Sequence, residues 1–160
     1  MIYNVPLIPQ STSNSCWAAC IAMIISWKQG GDPVSELSVI EQAGGGLYRF
    51  AMDLGLDPND RYVLGANGFR IENPMCYTTQ GIARLLVRHG PLWVATNAPE
   101  PHIRVITGMN GQTVRINDPA PQGIGKKAIM EFNEFFGAME SLGATELNQP
   151  SPVYVAYLKA

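Results

Sequence analysis

Apolar residues in the first half of the chain recur at helical spacing, whereas those in the second half fall into short runs of strand character. Cys16, Ala19, Cys20, Met23, Ile24 and Trp27 follow one another at the spacing of one buried helix face. Ahead of them stands Gln10-Ser11-Thr12-Ser13-Asn14-Ser15, a polar stretch whose side-chain oxygens suit a helix N-terminus. Gly30-Gly31-Asp32-Pro33 ends that helix. Residues 2–9 include Pro6 and Pro9 and read as an extended lead-in. Val34 to Gln42 predicts a short helix, Gly44-Gly45-Gly46 a flexible break, and Leu47 to Leu54 another helix. Residues 55–75 read as turns, on the strength of Asp57-Pro58, Asn67-Gly68 and Asn73-Pro74. Thr78 to His89 predicts a helix with Ile82, Leu85, Leu86 and His89 on one face, stopped by Gly90-Pro91.

Beyond this point the period changes. Leu92 to Thr96, Ile103 to Thr107 and Thr113 to Asn117 read as strands. The last two are joined by Gly108-Met109-Asn110-Gly111-Gln112, a hairpin connection centred on Asn110-Gly111. Lys126 to Met130 predicts a further strand, Phe132 to Met139 a short helix, and Val153 to Leu158 a closing strand. Helices first and an antiparallel sheet after them make an α+β fold. No internal repeat is visible.

Composition narrows the picture. A chain of 160 residues fits one domain, and at that size folding buries roughly 70% of the unfolded surface. A hydrophobic share of 46% with 15% charged residues argues against disorder. The net charge of −2, without a basic run, argues against nucleic acid as a partner. No apolar run approaches the ~20 residues of a membrane span, so no membrane partner is expected. No basic region followed by an apolar stretch opens the chain, so no signal peptide is expected. The cysteines Cys16, Cys20 and Cys76 are odd in number, and Cys16 and Cys20 sit four apart on one helix, a poor geometry for a bridge. Free thiols in a reducing compartment follow.

A thiol becomes a strong nucleophile as thiolate, helped by a helix N-terminus and a nearby imidazolium. Cys16 opens the first helix and has the former. The chain holds only His89 and His102. His89 ends a helix just before Gly-Pro, where a histidine commonly caps the last carbonyls. His102 opens a strand after the loop Asn97-Ala98-Pro99-Glu100-Pro101, a place from which a side chain reaches a cleft. A base histidine needs an acceptor on its second nitrogen. Asp118, at the end of the strand that hairpins back from His102, offers one, and Pro119 stops the strand there. Asn117 is the alternative, and strand alternation lets only one of the two face the ring. Gln10 and the Cys16 backbone N–H are candidate donors to an acyl-transfer oxyanion. Each residue also has a plain reading: Cys16 as a small core residue, Asp118-Pro119 as a turn, Gln10 as an ordinary polar residue. Zinc bound by Cys16, Cys20, Cys76 and a histidine is the rival chemistry, but its spacing lacks a C-x2-C knuckle. Cys20 reads as core and Cys76 as a loop residue without a role.

Gln10, five intervening residues, then Ser15-Cys16-Trp17 resembles the nucleophile region of papain-like cysteine peptidases. Ser13 and Asn14 stand where that signature has Cys and Gly. His102-Ile103-Arg104-Val105-Ile106-Thr107-Gly108 and Ile116-Asn117-Asp118-Pro119 are similar to the compact bacterial branches, the bacteriocin-processing peptidase domains and the secreted effector proteases. The resemblance covers residues 6–20 and 91–119. It implies a papain-like fold, a helical part packed on a twisted antiparallel sheet with the active-site cleft between them. It also implies a Cys16, His102, Asp118 and Gln10 site, a protein or peptide substrate, and no cofactor or metal. Deamidation, transglutamination and amide hydrolysis use the same chemistry, and a papain-like module that only binds is the non-enzymatic alternative. The nearness of Cys16 to the chain start leaves no room for an inhibitory extension and suggests a single domain, residues 1–160, cut from a longer protein. An effector or toxin delivered without a classical signal peptide into the cytoplasm of a target cell, with a cognate inhibitor or immunity protein, is the accompanying expectation.

Overall fold

Among the described residues six strands form one antiparallel sheet in the order β1-β6-β2-β3-β4-β5. They are β1 (Phe69–Ile71), β2 (Leu92–Thr96), β3 (His102–Asn110), β4 (Thr113–Asp118), β5 (Lys126–Glu131) and β6 (Tyr154–Leu158). The helices are α1 (Cys16–Lys28), α2 (Glu36–Gln42), α3 (Gly46–Arg49), α4 (Ala51–Leu54), α5 (Arg61–Ala66) and α6 (Thr79–His89). The computed structural model describes residues 1–57, 59–73, 75–96, 101–136 and 153–160. The expected α+β architecture is present, and β2, α6 and the β3–β4 hairpin fall within a few residues of their sequence-predicted bounds. The predicted helix from Phe132 is formed over residues 132–136, and its continuation to Met139 lies outside the described residues. Leu47 to Leu54 is split into α3 and α4.

Two short elements arise where turns were expected. Asp60 caps α5 by accepting from the Tyr62 and Val63 amides. The three-residue β1 then pairs with β6 through Phe69 and Leu158, Arg70 and Tyr157, Ile71 and Ala156. Its strand character comes from that distant partner, and Phe69 and Ile71 point inward while Arg70 points out.

The sheet is covered on both faces, which explains why β2 is buried at every position. Trp93 and Ala95 face the cluster built on α1 with Ile103, Val105 and Ala156. Leu92 and Val94 face the opposite cluster, with Ile82 and Leu86 of α6, Ile106, Val114, Ile116 and Phe135. That is the period of two expected of a strand. Helix α1 departs from the single buried face its spacing predicts. Trp17, Ala18, Ile21 and Ala22 are buried as completely as Ala19, Cys20, Met23 and Ile24. A helix apolar all round belongs inside, and α1 is enclosed by the sheet on one side and by α2 on another. Trp93 Nε1 donates to the Trp17 carbonyl, and the Cys20 thiol donates to the Ile103 carbonyl.

The start of the chain joins the sheet at an irregularity. Ile2 bridges Gly108, and the Tyr3 amide donates to the Thr107 carbonyl at 2.8 Å, next to a register shift between Ile106 and Gly108. A Cβ on Gly108 would lie 2.5 Å from the Met1 carbonyl oxygen and 2.8 Å from Ile2 Cα. Backbone atoms cannot retreat as a flexible side chain does. Gly108→Ala is therefore expected to cost about 1–3 kcal/mol in denaturant unfolding. Hydrogen exchange at the Met109 amide, which donates to the Met1 carbonyl, is expected to accelerate in the same variant.

Candidate active site

The residues before α1 are fixed by their own polar groups and by the segment after β4. Gln10 Nε2 donates to the Thr12 and Ser13 carbonyls, each at 2.8 Å. The Ser11 hydroxyl and amide donate to the Glu36 carboxylate. The Gln10 amide donates to the Pro119 carbonyl, and the Gly123 amide donates to the Gln10 carbonyl. This stitching brings the head of α1 beside the end of β4.

Ser15 occupies the N-cap position, yet its hydroxyl makes no cap bond. It turns back to accept from the Thr12 amide. The polar stretch thus shapes a loop and does not close the helix. The Cys16 amide is left without a partner among the described residues. An open amide and a thiol at the head of a long helix are the two things an acyl-transfer site requires of that position.

Across the cleft, β3 and β4 set the other groups. The pair Val105 and Asn117 fixes the register, and one step further brings Asp118 opposite Arg104. His102, two residues on, shares that face. His102 Nε2 donates to Asp118 Oδ1 at 2.7 Å. The same oxygen accepts the Ala120 amide at 2.9 Å, and Oδ2 accepts Arg104 Nε at 3.0 Å. Asn117 points the other way, its side-chain amide donating to the Val5 carbonyl at 3.2 Å. Of the two candidates for the third position, Asp118 meets the ring. His89 stacks on Tyr157 with ring centres 3.6 Å apart, and it does not line the cleft.

Cys16, Gln10, His102 and Asp118 all border one cleft of about 680 Å³, a size ordinary for a ligand site. The loop over residues 97–100 before His102 lies outside the described residues. The facing wall is Leu54, Gly55, Leu56 and Asp57. Thr12, Asn14 and Trp17 hold it by donating to the carbonyls of Met52, Asp53 and Ala51. Gln10 is buried, with both amide hydrogens engaged and Oε1 without a partner. Cys20 is sealed one turn below Cys16, and Cys76 is exposed. Among the described residues no three His, Cys, Asp or Glu side chains gather as a metal site.

The electrostatics follow from burial and pairing. Burial disfavours a charged His102, but the hydrogen bonds of Asp118 and Cys16 and the charge of Asp118 outweigh it, and its pKa rises to about 9. Burial likewise disfavours a charged Asp118. The His102 and Ala120 hydrogen bonds, the charge of His102 and the Arg104 bond prevail, and its pKa falls to about 2. Burial pushes the Cys20 thiol well above its ordinary value, reinforced by Cys16 and Asp118. Arg104 and Glu36 were not singled out by sequence reasoning. For Arg104 a signal existed, since it stands two strand residues past His102 and therefore shares its face; for Glu36 there was none.

The signs give a pH window. The raised value of His102 yields stability that is complete below 6.5 and lost as pH climbs through about 9. The lowered value of Asp118 yields stability that is complete above 3.8 and lost as pH falls through about 2. The melting temperature of Asp118→Asn should therefore fall furthest below wild type between pH 3.8 and 6.5; the gap should narrow above pH 9 as His102 loses its charge, and close as pH falls through about 2.

Comparison with known proteins bears on the fold and the family. A family model described as papain-like cysteine protease AvrRpt2 matches residues 1–136. No curated protein matches the chain. Among solved structures, a double glycine motif protease from an AMS/PCAT transporter, in complex with its leader peptide, is similar with a TM-score of 0.58 and 19% identity, over 99% of this chain and 94% of that one. The peptidase domain of Streptococcus ComA, a bifunctional ABC transporter of a quorum-sensing pathway, gives 0.57 and 16% over 98% and 100%. A C39-like peptidase from Bacillus anthracis gives 0.60 and 14% over 98% and 96%. These likenesses show a papain-like fold. With the family match over most of its length, the chain belongs to the AvrRpt2 family of papain-like cysteine proteases.

Proposed function

We propose that this protease cleaves peptide bonds with Cys16 as nucleophile, His102 as proton carrier, Asp118 as the group that orients the ring, and Gln10 with the Cys16 amide as oxyanion donors. The observation that carries the proposal is the hydrogen bond of His102 to the buried Asp118 beside a cleft that Cys16 also lines. The His102 Nε2 is bound to Asp118 Oδ1 at 2.7 Å, and Cys16 lines the same cleft and contributes to the raised pKa of the ring. Nδ1 is then the nitrogen left for the reacting sulfur.

The steps follow from these groups. The Cys16 thiolate adds to the scissile carbonyl carbon, and the oxygen takes the negative charge beside the Cys16 N–H. Gln10 gives up one of its bonds to the loop carbonyls and turns that hydrogen to the oxyanion. His102 hands its proton to the departing nitrogen as the C–N bond breaks, leaving a thioester. Water then loses a proton to His102 and adds to the thioester, and the sulfur departs as thiolate. A peptide substrate is supported by the fold's likeness to a protease that holds a leader peptide. The unpaired Cys16, Cys20 and Cys76 fit a reducing compartment. An effector that acts on a protein in the cytoplasm of a target cell, with a cognate inhibitor where it is made, is the reading compatible with them.

The test compares wild type with Cys16→Ala by mapping new protein N-termini in exposed lysate. Wild type should generate new termini and Cys16→Ala none. Equal cutting by both, or amide-to-acid mass gains without new termini, would overturn the proposal. Iodoacetamide should modify Cys16 first, a preference that His102→Ala abolishes. Gln10→Ala is expected to lower kcat by about 10²–10³ with little change in KM.

A further inference from the structure

Asp118 has more partners than the orientation of one ring requires. Oδ1 accepts from His102 and the Ala120 amide, while Oδ2 accepts from Arg104 Nε at 3.0 Å and lies 3.8 Å from Lys126 Nζ. The two cations differ in weight. The Lys126 side chain is 61% exposed and its pairing is screened by water, whereas that of Arg104 is 20% exposed and makes a hydrogen bond of ordinary length. The terminal torsion of an aspartate is broad and soft. A carboxylate held by one oxygen alone can swing that oxygen out of line with the ring.

We infer that Arg104 is a positioning residue: its bond to Oδ2 fixes the plane of the Asp118 carboxylate, keeps Oδ1 on His102 Nε2, and so presents Nδ1 to Cys16. This rests on the roles proposed above for those three residues. The placement is built into the sheet, since Arg104 shares a strand face with His102 and stands directly across from Asp118.

Arg104 acts on the ring in two opposed ways. The charged and titratable groups around the pair are Cys16 and Cys20 from α1, His102 and Arg104 from β3, Asp118 from β4 and Lys126 from β5. The Asp118 hydrogen bond strengthens the hold of His102 on its proton more than the Arg104 charge weakens it. Loss of Arg104 as a mere charge would make the ring release its proton at higher pH. Loss of Arg104 as an anchor makes it release at lower pH, because the larger contribution goes with the misplaced carboxylate.

The experiment is an NMR titration of the imidazole rings in the full chain, for wild type, Arg104→Gln and Arg104→Lys. His89 and His102 are the two histidines of the chain, and His89, stacked on Tyr157, serves as the internal control. Arg104→Gln should lower the His102 midpoint by roughly one in pH and leave His89 where it was. Alkylation of Cys16 by iodoacetamide near neutral pH should slow roughly tenfold, with partial recovery in Arg104→Lys. An unchanged or higher His102 midpoint overturns the inference. Should Arg104→Gln fail to fold, Arg104→Lys decides it: the lysine keeps the charge but not the Nε geometry, so a lowered midpoint supports positioning and an unchanged one refutes it. Retained peptide cleavage in Cys16→Ala would instead sink the proposed roles, and the ring titration reads Arg104 separately from that failure.

Discussion

A buried carboxylate is the most demanding group in this molecule. Asp118 is only 2% exposed, and a negative charge withdrawn from water survives only where donors replace the lost hydration. Here a histidine, an arginine and a backbone amide do so. Each of those donors ties down an element: His102 and Arg104 join β3 to the end of β4, and the Ala120 amide holds the chain where it leaves β4. The imidazole owes its orientation and its high proton affinity to the same requirement. The placing of the ring at the cleft is thus a by-product of keeping one charge satisfied inside the fold.

The second constraint lies in the backbone bonds between the loop before α1 and the segment after β4. Gln10 donates its amide to Pro119 and accepts from Gly123 through its carbonyl, and Gln122 Nε2 donates to the Ser11 carbonyl at 2.6 Å. Residues more than a hundred positions apart are thereby laced along one rim of the cleft. The thiol and the imidazole ride on separate elements, and this lacing keeps them in mutual reach. Folding accordingly depends on long-range pairing, which is slow compared with local helix formation.

Much of this was legible in the sequence because it was local. Helix α6 carries its own N-cap, Thr78, which accepts from the Gly81 amide, and the β3–β4 hairpin carries its own turn residues. The nearness of His102 and Asp118 followed from that hairpin alone. Other features were illegible because distant partners decide them. Strand β1 exists through β6, and α1 is enclosed on sides its periodicity did not reveal. Alternation stated that Asn117 and Asp118 face opposite ways, but the register across the Ile106–Gly108 irregularity determined which one met the ring. Ser15 carried every local mark of a helix cap and spends its hydroxyl on the loop instead.

The wall opposite His102 is anchored by main-chain oxygens as well as by the packing of Met52 and Leu56 against the core. Thr12, Asn14 and Trp17 grip the carbonyls of Met52, Asp53 and Ala51, and carbonyls are the same whatever residue bears them. Leu54, 82% exposed beside the cleft, takes no part in that attachment. The exposed Leu54 position is therefore free to diversify without loosening the frame beside Cys16. A change of side chain there would alter what the cleft accepts while leaving the Cys16, His102 and Asp118 arrangement as it stands.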